Sequence, residues 1–243
     1  RRALPWDPNI GEEAGEMESY VRFLIMRLLN SLQGKALNYT KGNEEDEGGQ
    51  AKANMFIINN TFYLLQQLAP KQDEAIAKKK GDVDSERYQL DRLWFEDKVK
   101  AIFASEKVKY LTHWELINVH LTSVDSSGLE YQKNKNLLSL ESGRLFKDRF
   151  KGFNDDFEQL YRIHNALAVI DPELRRELQA DVKKVFLNRY EKFYDKYSRF
   201  RFSKKNQNEY LKFPPEKVDS LLDTMFGGQG FIDDISFPVE IEH

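Results

Sequence analysis

Apolar residues recur every three or four positions along most of this 243-residue chain, the spacing that lines one side of an α-helix. Met17, Val21, Leu24, Ile25, Leu28, Leu29 and Leu32 form the first stripe. Gly34 follows it, where a glycine either stops a helix or weakens its last turn. Phe56, Ile57, Asn60, Tyr63, Leu64 and Leu68 predict a second helix, closed by Pro70. A third stretch, 85–120, carries Tyr88, Leu93, Val99, Ile102, Phe103, Leu111 and Trp114 among charges; as one helix it would span about 50 Å.

The intervening segments lack that period. Residues 42–50 (GNEEDEGGQ) hold no apolar side chain and predict a solvated loop, without the alternating Asp/Asn ligands of a calcium loop. Residues 124–140, with Ser126, Ser127 and Gly128, read as a linker. From Leu145 onward, Phe146, Phe150, Phe153, Phe157, Leu160, Ile163 and Leu167 make a wide apolar face. Asp171 then offers an N-cap and Pro172 the first helical position, starting a helix through Leu174, Leu178, Val182, Val185, Phe186, Phe193 and Tyr197. Pro214 and Pro215 open a short last helix with Val218, Leu221, Leu222, Met225 and Phe226. Strand-like alternation is confined to 236–241, and no fixed-period repeat is present. The fold class predicted is all-α.

Composition narrows the function. With 17 Phe, 11 Tyr and 3 Trp and 40% hydrophobic residues, the chain can bury a core, which excludes wholesale disorder. Mean hydropathy is −0.67, and no stretch approaches the roughly 20 apolar residues of a membrane span. No secretory leader opens the sequence, and the start at Arg1 reads as a fragment. Cysteine is absent, so disulfides, thiolate nucleophiles and cysteine zinc sites are impossible, in keeping with a cytoplasmic location.

His113 and His120, seven apart, can share a helix face, but no HExxH motif accompanies them; they read as ordinary surface or half-buried histidines. Gly-x-Ser-x-Gly and the glycine-rich phosphate loops are missing. Asp155 and Asp156 read as a bend or polar helix face rather than an acid–base pair. The glycosylation triplets at Asn38 and Asn59 fall in predicted helices and are discounted. The expectation is a protein without catalytic residues, bound metal or cofactor.

Charge is informative only in its distribution. The net charge is −3, yet residues 183–212 hold ten basic side chains against three acidic, a net of +7. Residues 213–243 hold one basic against seven acidic, a net of −6. Such asymmetry points to an anionic partner. Phe200, Phe202, Tyr210 and Phe213 interleave Arg201, Lys204, Lys205 and Lys212. Cationic residues gain about 1 kcal/mol each near an anionic bilayer, and aromatics can lodge at its headgroups. Single-stranded nucleic acid would use a similar mixture, but the pI of about 5.9 and the lack of a recognised motif argue against it.

Three segments carry a resemblance. KDRFKGFNDDFEQL at 147–160, FIINNTFYLL at 56–65 and KNQNEYLKF at 205–213, the last followed by 218–226, resemble in order the "RFKGFN", "FLxNNxxYIL" and "KNPEKYIKY" segments of the exocyst complex component seven family. The resemblance covers about 51–226 and implies the C-terminal half of that subunit, an elongated rod of stacked antiparallel helical bundles. It divides the chain into a first bundle, 1–140, and a C-terminal bundle, 141–243, bearing the basic patch and an unmatched acidic tail.

By this resemblance the protein tethers secretory vesicles to the plasma membrane in exocytosis. Its partners would be other exocyst subunits, a Rho-family GTPase and phosphatidylinositol 4,5-bisphosphate, with no enzymatic activity and a cytoplasmic, peripheral plasma-membrane location. Of the two family lysines tied to lipid, one falls on Lys212 and the other on Glu209, while the proline falls on Gln207. The expected lipid-binding set is therefore Arg199, Arg201, Lys204, Lys205 and Lys212, with the acidic tail covering the patch until lipid displaces it. A second reading, opened by Glu209, is a protein-interaction module for a GTPase or other effector with little lipid binding.

Overall fold

The computed structural model describes residues 16–41, 46–68, 92–133 and 136–227. The stop at Pro70, the start of the third stretch at 85–91, the strand-like 236–241 and the acidic tail from Gly228 lie outside these residues, as do 42–45. Among the described residues the regular structure is helical, with two isolated antiparallel bridges and no sheet. The all-α expectation holds. Two compact units, 1–109 and 110–243, divide between Lys109 and Tyr110, upstream of the Leu140 boundary expected from sequence.

In the first unit α1, Glu16–Ala36, buries Ile25, Leu29, Leu32 and Ala36. Met17, Leu24 and Leu28 of the expected stripe are exposed, so the packed face is narrower than the pattern implied, and Gly34 lies inside the helix. After a 3₁₀ turn, Leu37–Tyr39, α2 spans Glu47–Leu68. It starts nine residues before Phe56, and residues 47–50 are helix rather than loop. Asp46 caps it: its side chain accepts from Gly48 N at 3.1 Å and its carbonyl from Gln50 N at 2.9 Å. Gly49 is there because a Cβ would lie 2.5 Å from the Tyr39 carbonyl oxygen.

The expected long third helix is broken into α3, Arg92–Phe95, a π-turn, Glu96–Lys100, α4, Ala101–Glu115, and a 3₁₀ segment, Leu116–Leu121. Phe95 and Val99 pack with Ile25, Leu29 and Leu64. Glu106, buried, accepts from Asn54 Nδ2 at 2.8 Å and pairs with Lys109 at 2.6 Å.

The second unit is organised by α5, Leu140–Asn165, and α6, Pro172–Tyr197. From Phe146 to Phe157, the α5 positions spaced four, three and four apart against α6 are all phenylalanine. The ring pairs Phe146–Tyr197, Phe150–Phe193, Phe153–Tyr190 and Phe157–Phe186 descend one helix as they climb the other, so the two run antiparallel. The cap read from the sequence is present: Asp171 Oδ1 accepts from Glu173 N at 2.8 Å and Leu174 N at 2.9 Å, with Pro172 in the first turn. The short α7, Gln207–Tyr210, and α8, Pro215–Thr224, complete the unit.

Residues 124–140 are not a free linker. Val124, Leu137 and Leu138 are buried, and Tyr197 Oη bonds the Val124 amide at 2.7 Å and its carbonyl at 3.1 Å. Gln179 Nε2 donates to the Asp223 and Met225 carbonyls at 2.8 and 3.0 Å. This satisfies backbone acceptors at the end of α8 that would otherwise be buried without a partner.

Candidate cationic surface

Helix α6 ends at Tyr197, and the chain leaves through a turn in which Phe200 N donates to the Tyr197 carbonyl at 3.2 Å. Phe200 stacks on Phe146 with ring centroids 5.4 Å apart. Phe202, buried, stacks on Phe146 and Phe150 at 5.9 and 5.5 Å. Arg199 and Arg201, between and beside them, are therefore exposed, as are Lys204 and Lys205. The aromatics expected to lodge at headgroups are core residues instead: Phe202 and Phe213 are buried, Phe200 and Tyr210 half-buried. Burying aromatic area inside the unit is what turns the cations outward.

This loop is pinned. Leu138 N donates to the Arg201 carbonyl at 2.9 Å, and Gln207 Nε2 donates to the Phe200 and Ser198 carbonyls at 3.1 and 3.3 Å. Gly143 of α5 lets the loop approach: a Cβ there would stand 2.8 Å from the Phe202 oxygen. Downstream, Asn154 Nδ2 donates to the Tyr210 and Glu209 carbonyls at 3.1 and 3.4 Å. Asn154 thus couples the RFKGFN segment to the KNQNEYLKF segment. Gly152 beside it lies against the His120 ring.

Of the five predicted residues, Arg199, Arg201, Lys204 and Lys205 come together on this loop, and none has a carboxylate partner among the described residues. Lys212 stands apart, ion-paired with Glu158 of α5 and lying over the Phe213 ring. Glu209 is exposed and accepts from Asn206 Nδ2 at 2.9 Å.

The +7 sum does not describe one patch. Lys183 bridges Asp219 and Asp223 of α8 at 2.6 and 2.7 Å; burial works against its charge, but the two carboxylates more than offset it and raise its pKa. Lys184 pairs with Asp181 at 2.8 Å. Charge that looked available is spent holding α6 to α8 and to itself.

Sequence reading missed the contribution of α5. Arg144, Lys147 and Lys151 share one face by their spacing, and Lys147 Nζ lies 5.8 Å from the Tyr210 ring centre, bringing that face to α7. The spacing was visible; what it adjoined was not. Arg144 has an exposed partner, Asp148, at 3.7 Å, a pairing that contributes little in water.

His120 and His164 serve structure. His120 Nε2 meets Asp156 Oδ2 at 2.7 Å, joining two residues that the sequence had left separate, while Asp155 remains exposed. His164, buried, bonds Tyr110 Oη through Nδ1 at 2.7 Å. Burial, and then the neighbouring His113, pull its pKa down to about 3.

Residues 6–224 match the family model for the C-terminal part of the Exo70 exocyst complex subunit. The chain belongs to that family.

Among Exo70 relatives, it is 26% identical to "Exocyst complex component EXO70A3" of Arabidopsis thaliana over 229 residues, covering 94% of this chain and 34% of the relative. It is likewise 26% identical to "Exocyst complex component 7" of Homo sapiens over 213 residues, covering 83% and 25%. The solved structure of Saccharomyces cerevisiae Exo70 superposes with a TM-score of 0.56 at 17% identity, covering 88% of this chain and 38% of that one, which supports the helical fold. The chain spans about a quarter to a third of the length of these curated relatives, rather than the half that the resemblance implied. Among the described residues no helix is long and apolar enough to cross a membrane.

Proposed function

We propose that this chain serves the exocyst as a vesicle-tethering subunit, docking on phosphatidylinositol 4,5-bisphosphate at the inner leaflet of the plasma membrane through the cationic end of the α5–α6 pair. The observation that carries this reading is the pinned loop presenting Arg199, Arg201, Lys204 and Lys205 to solvent with no carboxylate partner among the described residues. An unneutralised cluster of this size attracts a polyanionic headgroup, and the attraction weakens as salt rises. Other exocyst subunits and a Rho-family GTPase are the protein partners in this reading, bound without catalysis.

The test is flotation with phosphatidylcholine vesicles with and without the bisphosphate lipid. A triple variant, Arg201→Glu with Lys204→Glu and Lys205→Glu, should bind the bisphosphate vesicles about a hundredfold more weakly, at about 1 kcal/mol per cation lost. Equal binding by both proteins would remove the loop as the lipid site.

Lys212 supplies a second, smaller prediction. Its pairing with Glu158 holds one cation away from lipid. Glu158→Gln should strengthen vesicle binding by about threefold to fivefold, within the 1 kcal/mol that one cation contributes. Unchanged binding would mean that Lys212 takes no part.

The second reading, a protein-interaction module, is favoured by two facts: an acid at 209 where the resemblance expects a lysine, and the engagement of Lys212. Capture of a purified partner subunit or GTPase without any vesicle flotation would select it.

A further inference from the structure

Leu140 is 85% exposed, although it sits at the first position of a 26-residue helix where a polar residue would satisfy every local requirement. Its backbone is held firmly. Ser139 caps α5 by accepting from Ser142 N at 3.2 Å, Ser139 N donates to the Glu130 carbonyl at 2.8 Å, and Glu130 N donates to Ser142 Oγ at 2.9 Å. Tyr131, half exposed, is tied to the same place by its bridge with Leu138. Leu138 in turn donates its amide to the Arg201 carbonyl. Because α5 and α6 are antiparallel, the start of α5 and the loop after α6 lie at one end of the pair. The exposed apolar side chains therefore share that end with the loop of Arg201, Lys204 and Lys205, to which Leu138 is bonded at Arg201.

A lone exposed leucine needs no explanation; a rigidly presented one at the same end as cations that have no carboxylate partner among the described residues does. Glu130 and Glu141 flank it, and the cations outnumber them. Two side chains are far too few for a protein interface, which buries about 800 Å² per partner. An interfacial membrane contact needs only a few apolar groups reaching below the headgroups while cations engage the phosphates.

We infer that Leu140, with Tyr131 beside it, is an apolar wedge that enters the headgroup–acyl boundary of an anionic bilayer when the cationic loop docks. The inference rests on the lipid-docking reading above and adds a hydrophobic component to it, which electrostatics alone would not supply.

Because the chain has no cysteine, Leu140→Cys can carry a single environment-sensitive fluorophore. Ser220→Cys, exposed on α8, is the control. The probes are phosphatidylcholine vesicles containing phosphatidylserine, with and without acyl-chain bromination. On binding, the label at 140 should brighten, shift to the blue and be quenched by the brominated lipid, and the label at 220 should do none of these. Unlabelled Leu140→Ser should keep its thermal midpoint, since the side chain is exposed. It should bind about fivefold more weakly, the scale of one partly buried leucine, with unchanged salt dependence.

Vesicle binding that is lost in the Arg201/Lys204/Lys205 variant, but leaves the label at 140 in water and Leu140→Ser unaffected, would overturn the wedge and leave the docking reading intact. No vesicle binding by the unaltered chain would overturn both. Leu140→Ser that binds vesicles normally but no longer captures a purified partner subunit would assign the leucine to a protein contact and overturn the wedge.

Discussion

Phe153→Ala should lower the stability of residues 110–243 by about 3–5 kcal/mol, the range for truncating a fully buried phenylalanine. The ring is inaccessible to solvent and stacks on Tyr190 with centroids 3.7 Å apart and planes within 5°. It also contacts Phe157 and Phe186. These partners sit on two rigid antiparallel helices, which cannot close on the void without shifting all four aromatic pairs. The loss is a large share of a total that is normally about 5–15 kcal/mol. Urea unfolding followed by near-ultraviolet circular dichroism measures it. Phe153→Leu, which refills most of the volume, should cost less than half as much. A loss below about 1 kcal/mol for the alanine variant would show that the α5–α6 pair does not depend on this stack.

The second large effect is acid sensitivity through His164. In the folded chain its pKa is pulled down to about 3 by burial and by His113. In the unfolded chain it returns to about 6.5. The unfolded state therefore takes up the proton first as pH falls, and the folded state cannot match it. The stabilising contribution is complete above pH 6.5 and is lost progressively down to about 3. At about 1.4 kcal/mol per unit, roughly 3 kcal/mol is gone by pH 4.

The Tyr110 hydroxyl, held protonated because burial raises its pKa, shares a hydrogen bond with Nδ1 of the ring. His164→Gln keeps a hydrogen-bond acceptor and removes the titration. Urea unfolding from pH 7 to pH 4 should then show a wild-type curve steeper than the variant's by about 1.4 kcal/mol per unit below pH 6.5. Parallel curves would exclude His164 as the source.

The helices of the second unit were legible because their signals were local and redundant. Phe146, Phe150, Phe153 and Phe157 repeat at helical spacing, and Asp171-Pro172 is a cap that needs no tertiary partner. Residues 47–50 were misread because glycine and acid suggest solvent, whereas Gly49 is required by the Tyr39 carbonyl and Asp46 by the first turn of α2. The breaks at Glu96–Lys100 and Leu116–Leu121 leave no mark in the apolar stripe, which carries Val99 straight through the first.

At the site, the four clustered cations were visible as charges. Lys184 is paired locally with Asp181, but the neutralisation of Lys183 and Lys212 depends on carboxylates thirty or more residues away, Asp219 and Glu158. The alternation of Phe200 and Phe202 with Arg199 and Arg201 was in the sequence all along. Only the packing of that turn against Phe146 and Phe150 shows that the rings face inward and the arginines outward.

The tethering of residues 198–202 by Leu138, Gln207 and the Phe146 stack also bears on time. A cationic tail that must first order itself arrives at a charged surface in many unproductive shapes. A loop already held in one shape leaves only rotational search between encounter and capture. Capture is then paced by diffusion and by the long-range field of the cations, so the speed of docking would be set by the ionic strength of the surroundings rather than by any rearrangement of the chain.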